Sequence, residues 1–279
     1  MRVVITGHKG QLGQQLCRIF EDHDLLGIDV PEHDITCYPV IAETILSFAP
    51  DLVIHAAAYT NVDGCARDPD LAYRVNGLGT QNVALACQHC DAPMVYISTN
   101  EVFDGKTSEP YLETDFPRPS NPYGRSKLMG ELHVRDLLTR YYIVRIAWLF
   151  SPRMANFPAK IIAAARERGQ LSVVTDEVSN PTYAPDLARA LRQLTSSERY
   201  GTYHLVNEGA CSRYEFARAI LETAGLGDVP VKPILSQEFQ RLSTPPLYAP
   251  LRNFAAAESL GIRLRPWQEA LADYQRQIA

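Results

Sequence analysis

Tyr123-Gly124-Arg125-Ser126-Lys127 places a phenol and a primary amine four residues apart, on one face of any helix that contains them. A free tyrosine has a pKa near ~10, too high to exchange protons readily at neutral pH. A lysine beside it favours the phenolate, so the pair reads as a proton donor and acceptor for a reacting oxygen. The spacing occurs by chance in many helices, and its value comes from position. A third group lies upstream in Val95-Tyr96-Ile97-Ser98-Thr99-Asn100-Glu101, where Ser98 and Thr99 fall at the carboxyl end of an apolar run. A hydroxyl there can bond the reacting oxygen and align it with Tyr123. Only one of the two can point into a cleft.

The elements that must hold these groups follow from hydrophobic periodicity. Apolar runs at residues 3–5, 25–28, 52–54, 94–97 and 142–144 read as buried parallel strands. Amphipathic stretches at about 11–21, 40–48, 71–90 and 123–138 read as the helices between them. This βαβα order predicts an α/β fold with a doubly wound parallel, Rossmann-type sheet covered on both faces. Beyond Ser151-Pro152 the pattern loosens. A helix is expected at about 156–168, a strand at 171–174, a helix from Ala184-Pro185-Asp186, a strand near 203–206 and a helix at 212–223. Prolines 230, 233, 245, 246 and 250 make the run 230–250 a loop-dominated wall, and a last helix follows Pro266. The expected division is a dinucleotide-binding domain over 1–150, to which a strand and helix at about 171–196 return, and a smaller α/β region over 151–279, mainly for substrate.

Gly7-His8-Lys9-Gly10-Gln11-Leu12-Gly13 sits between the first strand and the first helix. Glycines there let the backbone turn tightly, approach a pyrophosphate and pack helix against strand. The helix start then offers unpaired N–H groups and a partial positive charge to phosphates. Asp29, at the end of the second strand, stands where an acid accepts hydrogen bonds from an adenosine ribose. Its charge repels a 2′-phosphate, so NADH is expected over NADPH, with Lys9 offsetting part of that repulsion. An oxidised nicotinamide beside Tyr123 and Lys127 would further favour the phenolate.

Composition narrows the remaining classes. The 279 residues are 46% hydrophobic and 21% charged, with a formal net charge of -5, which demands no basic face and argues against a nucleic-acid partner. No apolar run reaches bilayer length, and the N-terminal run is too short for a signal peptide. Six scattered cysteines suit a reducing compartment, so the chain is expected to be cytoplasmic. Cys87-x-x-Cys90 has no second pair at zinc spacing, and no cluster compels a metal.

Together these residues resemble the extended short-chain dehydrogenase/reductases, and within them the dTDP-4-dehydrorhamnose reductase family, over nearly the whole chain. The resemblance is carried by Thr6-Gly7-x-x-Gly10-Gln11-Leu12-Gly13, Ala56-Ala57-Ala58-Tyr59-Thr60-x-Val62-Asp63 and Val75-Asn76. Ser98-Thr99-x-x-Val102-Phe103-Asp104-Gly105, Tyr123-Gly124-x-x-Lys127, Arg145-x-x-Trp148, Pro181-Thr182 and Asp186-Leu187-Ala188 add to it. It implies that Thr99, Tyr123 and Lys127 form a catalytic triad. It implies a cofactor site of Gly7, Gly10, Gln11, Leu12, Gly13, Asp29, Asp34, Ile35, Ala57, Ala58, Tyr59 and Ser98, completed by Tyr123 and Lys127. Trp148 would lie beside a sugar nucleotide, with Thr99, Asn100 and Glu101 on the floor of the sugar site.

Two places depart from the family pattern. Asn100-Glu101 stands where the reductases carry Asp-Tyr, and Tyr248-Ala249-Pro250-Leu251-Arg252-Asn253-Phe254 replaces an Arg-Pro-x-x-Ser-x-Leu-like segment. Arg252 is the candidate there for a diphosphate contact. The implied reaction is NAD(P)H-dependent reduction of a 4-keto-6-deoxysugar nucleotide, dTDP-4-dehydro-L-rhamnose to dTDP-L-rhamnose, by a monomer or homodimer. Two alternatives stay open: a sugar-nucleotide dehydratase or epimerase of the same superfamily, which Glu101 after Thr99 suggests, and a non-catalytic NAD(P)-binding subunit like the methionine adenosyltransferase β subunit.

Overall fold

The computed structural model describes residues 1–278. Its first half runs β1 (Arg2–Thr6), α1 (Gln11–Ile19), β2 (Asp24–Ile28), α2 (Tyr38–Phe48), β3 (Leu52–His55), α3 (Val62–Arg67), α4 (Pro69–Ala72), α5 (Thr80–His89), β4 (Met94–Thr99), α6 (Pro122–Leu137) and β5 (Tyr141–Ile146). The strands lie side by side as β2-β1-β3-β4-β5, all parallel. Val3, Val4, Ile5, Val53, Ile54, Val95 and Val144 expose no surface, as expected of strands covered on both faces. From β1 the chain goes to one side for β2, then crosses to the other for β3. The loops after β1 and β3 therefore part around a crevice at the carboxyl edge, where such sheets take ligands.

The second half runs β6 (Leu149–Phe150), α7 (Phe157–Arg168), β7 (Leu171–Val174), β8 (Val178–Ser179), β9 (Thr182–Tyr183), α8 (Ala184–Thr195), β10 (Gly201–His204), β11 (Cys211–Ser212), α9 (Arg213–Thr223), β12 (Val231–Ile234), α10 (Phe254–Leu260) and α11 (Trp267–Ile278). β10 joins the main sheet beside β5 as its sixth parallel strand. One face of the sheet is covered by Leu12 and Leu16 of α1 together with Leu187, Leu191 and Leu194 of α8. α2, α5 and α6 cover the other through Ile41, Ile45, Val83, Cys87 and Val134. A separate core, built on Phe150, Ile161, Phe216, Trp267 and Tyr274, holds α7, α9 and α11 together. No helix among the described residues is long and apolar enough to cross a membrane.

Four elements differ from expectation. The strand expected to return to the main sheet, Leu171–Val174, pairs with β12 instead, and Gly201–His204 takes that place. β12 lies inside the proline-rich run and contains Pro233, which an edge position tolerates because one side of the strand needs no donor. The helix expected over 71–90 is broken by a π-helical stretch, Tyr73–Gly79. There a side chain at Gly77 would strike the Met129 sulfur at 2.6 Å, and one at Gly79 would strike Ile35 at 2.8 Å, so close packing replaces helix propensity. α10 was not expected, and ends at Gly261 in a left-handed conformation, φ 66°.

Candidate active site

Thr99 closes β4, and Tyr123 and Lys127 lie on the first two turns of α6. That helix is started firmly: Pro122 occupies its first turn, and Asn121 caps it by accepting the Gly124 N–H at 2.8 Å. The Asn121 amide also donates to Glu101 at 2.6 Å, tying the helix start to the turn after β4. A side chain at Gly124 would lie 2.0 Å from the Glu101 carbonyl oxygen, so only glycine lets the two segments meet. Strand alternation separates the two hydroxyls. Ser98 donates to Glu131 at 2.6 Å, and Glu131 holds Arg145 through two bonds of 2.9 and 2.8 Å, a pair with almost no exposed surface. Thr99 lines the cleft, its hydroxyl accepting the Glu101 N–H at 3.2 Å and donating to the Asn100 side-chain oxygen at 3.3 Å.

Lys127 is 2% exposed, its ammonium 4.2 Å above the Tyr96 ring, and among the described residues it makes no hydrogen bond. Burial brings its pKa down to about 7, with Glu131 pulling the other way. Burial also pushes the Tyr123 phenol well above its usual range, the Glu101 charge adding to this and the Thr99 hydroxyl opposing it. In the chain by itself, desolvation of the phenol outweighs the Thr99 hydrogen bond that opposes it.

The glycine loop forms the other end of the same cleft, whose volume is about 860 Å³. Gly7 has φ 70°, and a side chain on it would lie 2.7 Å from the Ala57 nitrogen, so the loops after β1 and β3 touch backbone to backbone. A side chain at Gly13 would lie 2.1 Å from the Gly7 carbonyl oxygen. α1 begins after Gly10 with no side chain capping it, leaving its first N–H groups for an anion. Asp29 accepts the Lys9 and Val30 N–H groups, each at 2.9 Å, and the Lys9 ammonium reaches Glu32 at 3.1 Å. Asn76, on the π-helical stretch, grips Tyr59 by accepting its N–H at 2.8 Å and donating to its carbonyl at 3.0 Å. The uncapped helix start, the close-packed glycines and the unpartnered Lys127 amine together match the diphosphate and ribose hydroxyls of a dinucleotide.

All the expected site residues line this cleft except Arg252. Leu251 is buried, which turns Arg252 outward to the rim of a second cavity, its guanidinium 5.2 Å from the Phe254 ring. Asn100 is on the cleft wall, but its amide donates to Ser179 and the Ala249 carbonyl at 3.1 and 3.2 Å, so it ties β4 to the second region. Ser98 likewise lines the cleft while giving its proton to Glu131. Trp148 has φ 38°, a strained value for a bulky residue. Sequence reading missed Glu131, whose position four after Lys127 was the available signal, and Arg213, which had none. The Arg213 guanidinium lies 3.6 Å over the Trp148 ring, and burial lowers its pKa to about 10. Glu101 beside it is raised by burial, against the pull of Asn121, Arg213 and Arg241.

Three known proteins are similar over nearly the whole length. The spore coat polysaccharide biosynthesis protein SpsK of Bacillus subtilis is 36% identical over 275 residues, covering 98% of this chain and 96% of that one. The dTDP-4-dehydrorhamnose reductase of Mycobacterium tuberculosis (strain CDC 1551 / Oshkosh) is 38% identical over 279 residues, covering 97% of this chain and 91% of that one. The crystal structure of dTDP-4-dehydrorhamnose reductase from Bacillus anthracis, in complex with NADP, superposes with a TM-score of 0.95 at 38% identity, covering 98% of each chain. The family model described as the RmlD substrate binding domain matches residues 1–279, and the chain belongs to that family, within the extended short-chain dehydrogenase/reductases.

Proposed function

We propose that the chain is an NAD(P)H-dependent oxidoreductase that reduces the C4 ketone of a 6-deoxysugar nucleotide, converting dTDP-4-dehydro-L-rhamnose to dTDP-L-rhamnose. The observation that carries this is the meeting of Thr99, Tyr123 and Lys127 in one cleft with the uncapped start of α1. The named activity of the Mycobacterium tuberculosis relative and the NADP held by the Bacillus anthracis structure support it.

A bound nicotinamide supplies a hydride for the carbonyl carbon. The raised pKa of Tyr123 keeps its phenol protonated at neutral pH, ready to give that proton to the carbonyl oxygen. Thr99 donates to the same oxygen and fixes its direction. Lys127, with a pKa of about 7, bonds the nicotinamide ribose hydroxyls and stabilises the phenolate that Tyr123 becomes. The N–H groups at Gln11, Leu12 and Gly13 hold the cofactor diphosphate, while the Ala57–Ala58–Tyr59 loop, Asp34 and Ile35 wall the adenosine. Asp29 accepts from the adenosine ribose with lone pairs its backbone donors leave free, which favours NADH over NADPH. Residues 1–150, joined by α8 and β10, hold the cofactor, and the rest of 151–279 mainly holds the sugar nucleotide, with Trp148 and Glu101 at the contact. The chain works in the cytoplasm, as a monomer or homodimer, which sedimentation of the purified protein distinguishes.

Tyr123→Phe tests the proposal. Loss of the phenolic proton is expected to lower the rate of NAD(P)H consumption on the keto sugar nucleotide by about 10²–10⁴-fold. A rate within a few-fold of wild type would exclude Tyr123 as the acid. Stoichiometric consumption of the reduced cofactor separates reduction from a dehydratase or epimerase that recycles it.

A further inference from the structure

We propose that Arg213, stacked on Trp148, is the anchor for the diphosphate of the nucleotide sugar, a subsite that rests on the reading of the cleft as a sugar-nucleotide reductase. Arg213 opens α9, and its backbone is held from both sides. Ser212 and Glu215 cap the helix reciprocally, with the Ser212 N–H on Glu215 at 2.7 Å and the Glu215 N–H on the Ser212 hydroxyl at 3.1 Å. The Arg213 N–H itself donates to the Glu177 carbonyl at 3.0 Å. From this fixed start the side chain reaches the cleft and lies against two rings, 3.6 Å from the centre of Trp148 and 4.9 Å from that of Phe157. Stacking sets the plane of the guanidinium and leaves its N–H edges for an acceptor.

Among the described residues no acceptor takes them. The nearest carboxylate, Glu177, stands 3.8 Å from the Arg213 Nε, beyond hydrogen-bond distance, and Arg241 already engages it more closely. Glu101 is a further acid within electrostatic reach, its pKa raised by burial against the pull of Asn121, Arg213 and Arg241. The Arg213 guanidinium, about a quarter exposed, therefore lines the cleft with N–H groups that no protein acceptor takes within hydrogen-bond distance. An anion with several oxygens completes the set, and a planar fork suits a phosphate edge to edge. The glycine loop serves a different anion, because it lies with Asp29 and Asp34 whereas Arg213 lies with Glu101 and Trp148. In a nucleotide sugar the diphosphate hangs from C1, only a few bonds from the ketone that must meet Tyr123. Arg213 lines the same cleft as Glu101 and Tyr123, where that group would come to rest.

Calorimetric titration of the full chain with dTDP and with thymidine tests this, using wild type, Arg213→Ala and Arg213→Gln, with NADPH binding as the check of folding. Arg213→Ala is expected to weaken dTDP binding about 10- to 100-fold, the range for a lost charge-assisted pair, and thymidine binding by less than about twofold. Arg213→Gln keeps a flat end on Trp148 without the charge and should lose dTDP to a similar degree; it decides the matter if the alanine variant does not fold. Undiminished dTDP affinity in a folded variant overturns the proposal, including when the KM for the keto sugar rises, since that would make Arg213 a sugar contact. Equal losses for dTDP and thymidine also overturn it, pointing to collapse around Trp148. A wild type that turns over the keto sugar while the variants keep dTDP leaves the reductase reading intact and removes only Arg213. A wild type that neither binds dTDP nor consumes NAD(P)H removes both.

Discussion

Replacing Lys127 by methionine should stabilise the protein while disabling it. The amine is 2% exposed, sits over the Tyr96 ring and has no hydrogen-bond partner among the described residues, so folding strips it of water with little in return. Its pKa falls from 10.5 to about 7 on folding, which at about 1.4 kcal/mol per pH unit corresponds to a penalty on the order of 5 kcal/mol for the charged form. The sign follows from proton binding. The folded pKa lies below the unfolded one, so between about pH 7 and pH 10.5 the unfolded chain binds the extra proton and this group's contribution to stability rises with pH. Below pH 7 the amine is charged in both states and the full penalty applies. Lys127→Met removes the penalty and keeps the stem, so the gain should be largest near about pH 6 and fade toward about pH 10. A gain of about 2–5 kcal/mol translates to roughly 3–9 °C in Tm for a chain of this size. Thermal melts of both proteins across that pH range measure it, alongside NAD(P)H consumption, which should fall at least about 10²-fold. A variant that melts at or below wild type near pH 6 would refute the idea that this amine is held at a cost.

Two further outcomes follow from the same geometry. Glu131→Ala leaves Arg145 charged and buried without its partner, and urea denaturation should show a loss of roughly 3–5 kcal/mol; a loss under about 1 kcal/mol would mean that the pair is replaceable. Asp29→Ala should shift the ratio of kcat/KM values toward NADPH by about tenfold, since the removed carboxylate no longer repels a 2′-phosphate; wild type that already prefers NADPH would contradict the reading of Asp29.

Much of this was legible because two signals are local. Buried strands such as 3–5 and 94–97 write themselves as apolar runs, and the glycine loop announces a backbone contact that no side chain could survive, as Gly7 against Ala57 demonstrates. The Tyr123–Lys127 pairing depends only on helix pitch. What was hidden depends on distant packing. The π-helical turn at Tyr73–Gly79 serves Asn76 and its hold on Tyr59, and no periodicity encodes it. Arg213 reaches Trp148 across 65 positions of chain through the placement of α9, whereas Arg252, chosen for its type, is turned away by the burial of its neighbour Leu251. The raised pKa of Tyr123 in the chain by itself was hidden for the same reason: adjacency to a lysine is readable, and the degree of burial is not.

The late arrival of β10 in the main sheet has a bearing on how the chain can be cut and made. A ribosome that has released residues 1–150 has produced every group of the proposed triad, yet β5 still shows a bare edge and the Leu12–Leu16 stripe lacks the α8 leucines that flank it on the sheet. Only after the chain has threaded through α7 and β7 to β9 do α8 and β10 come back to close that flank. The two regions are stitched rather than strung, so a fragment ending at residue 150 should be prone to clump, and neither half could be traded as a cassette without taking a piece of the other.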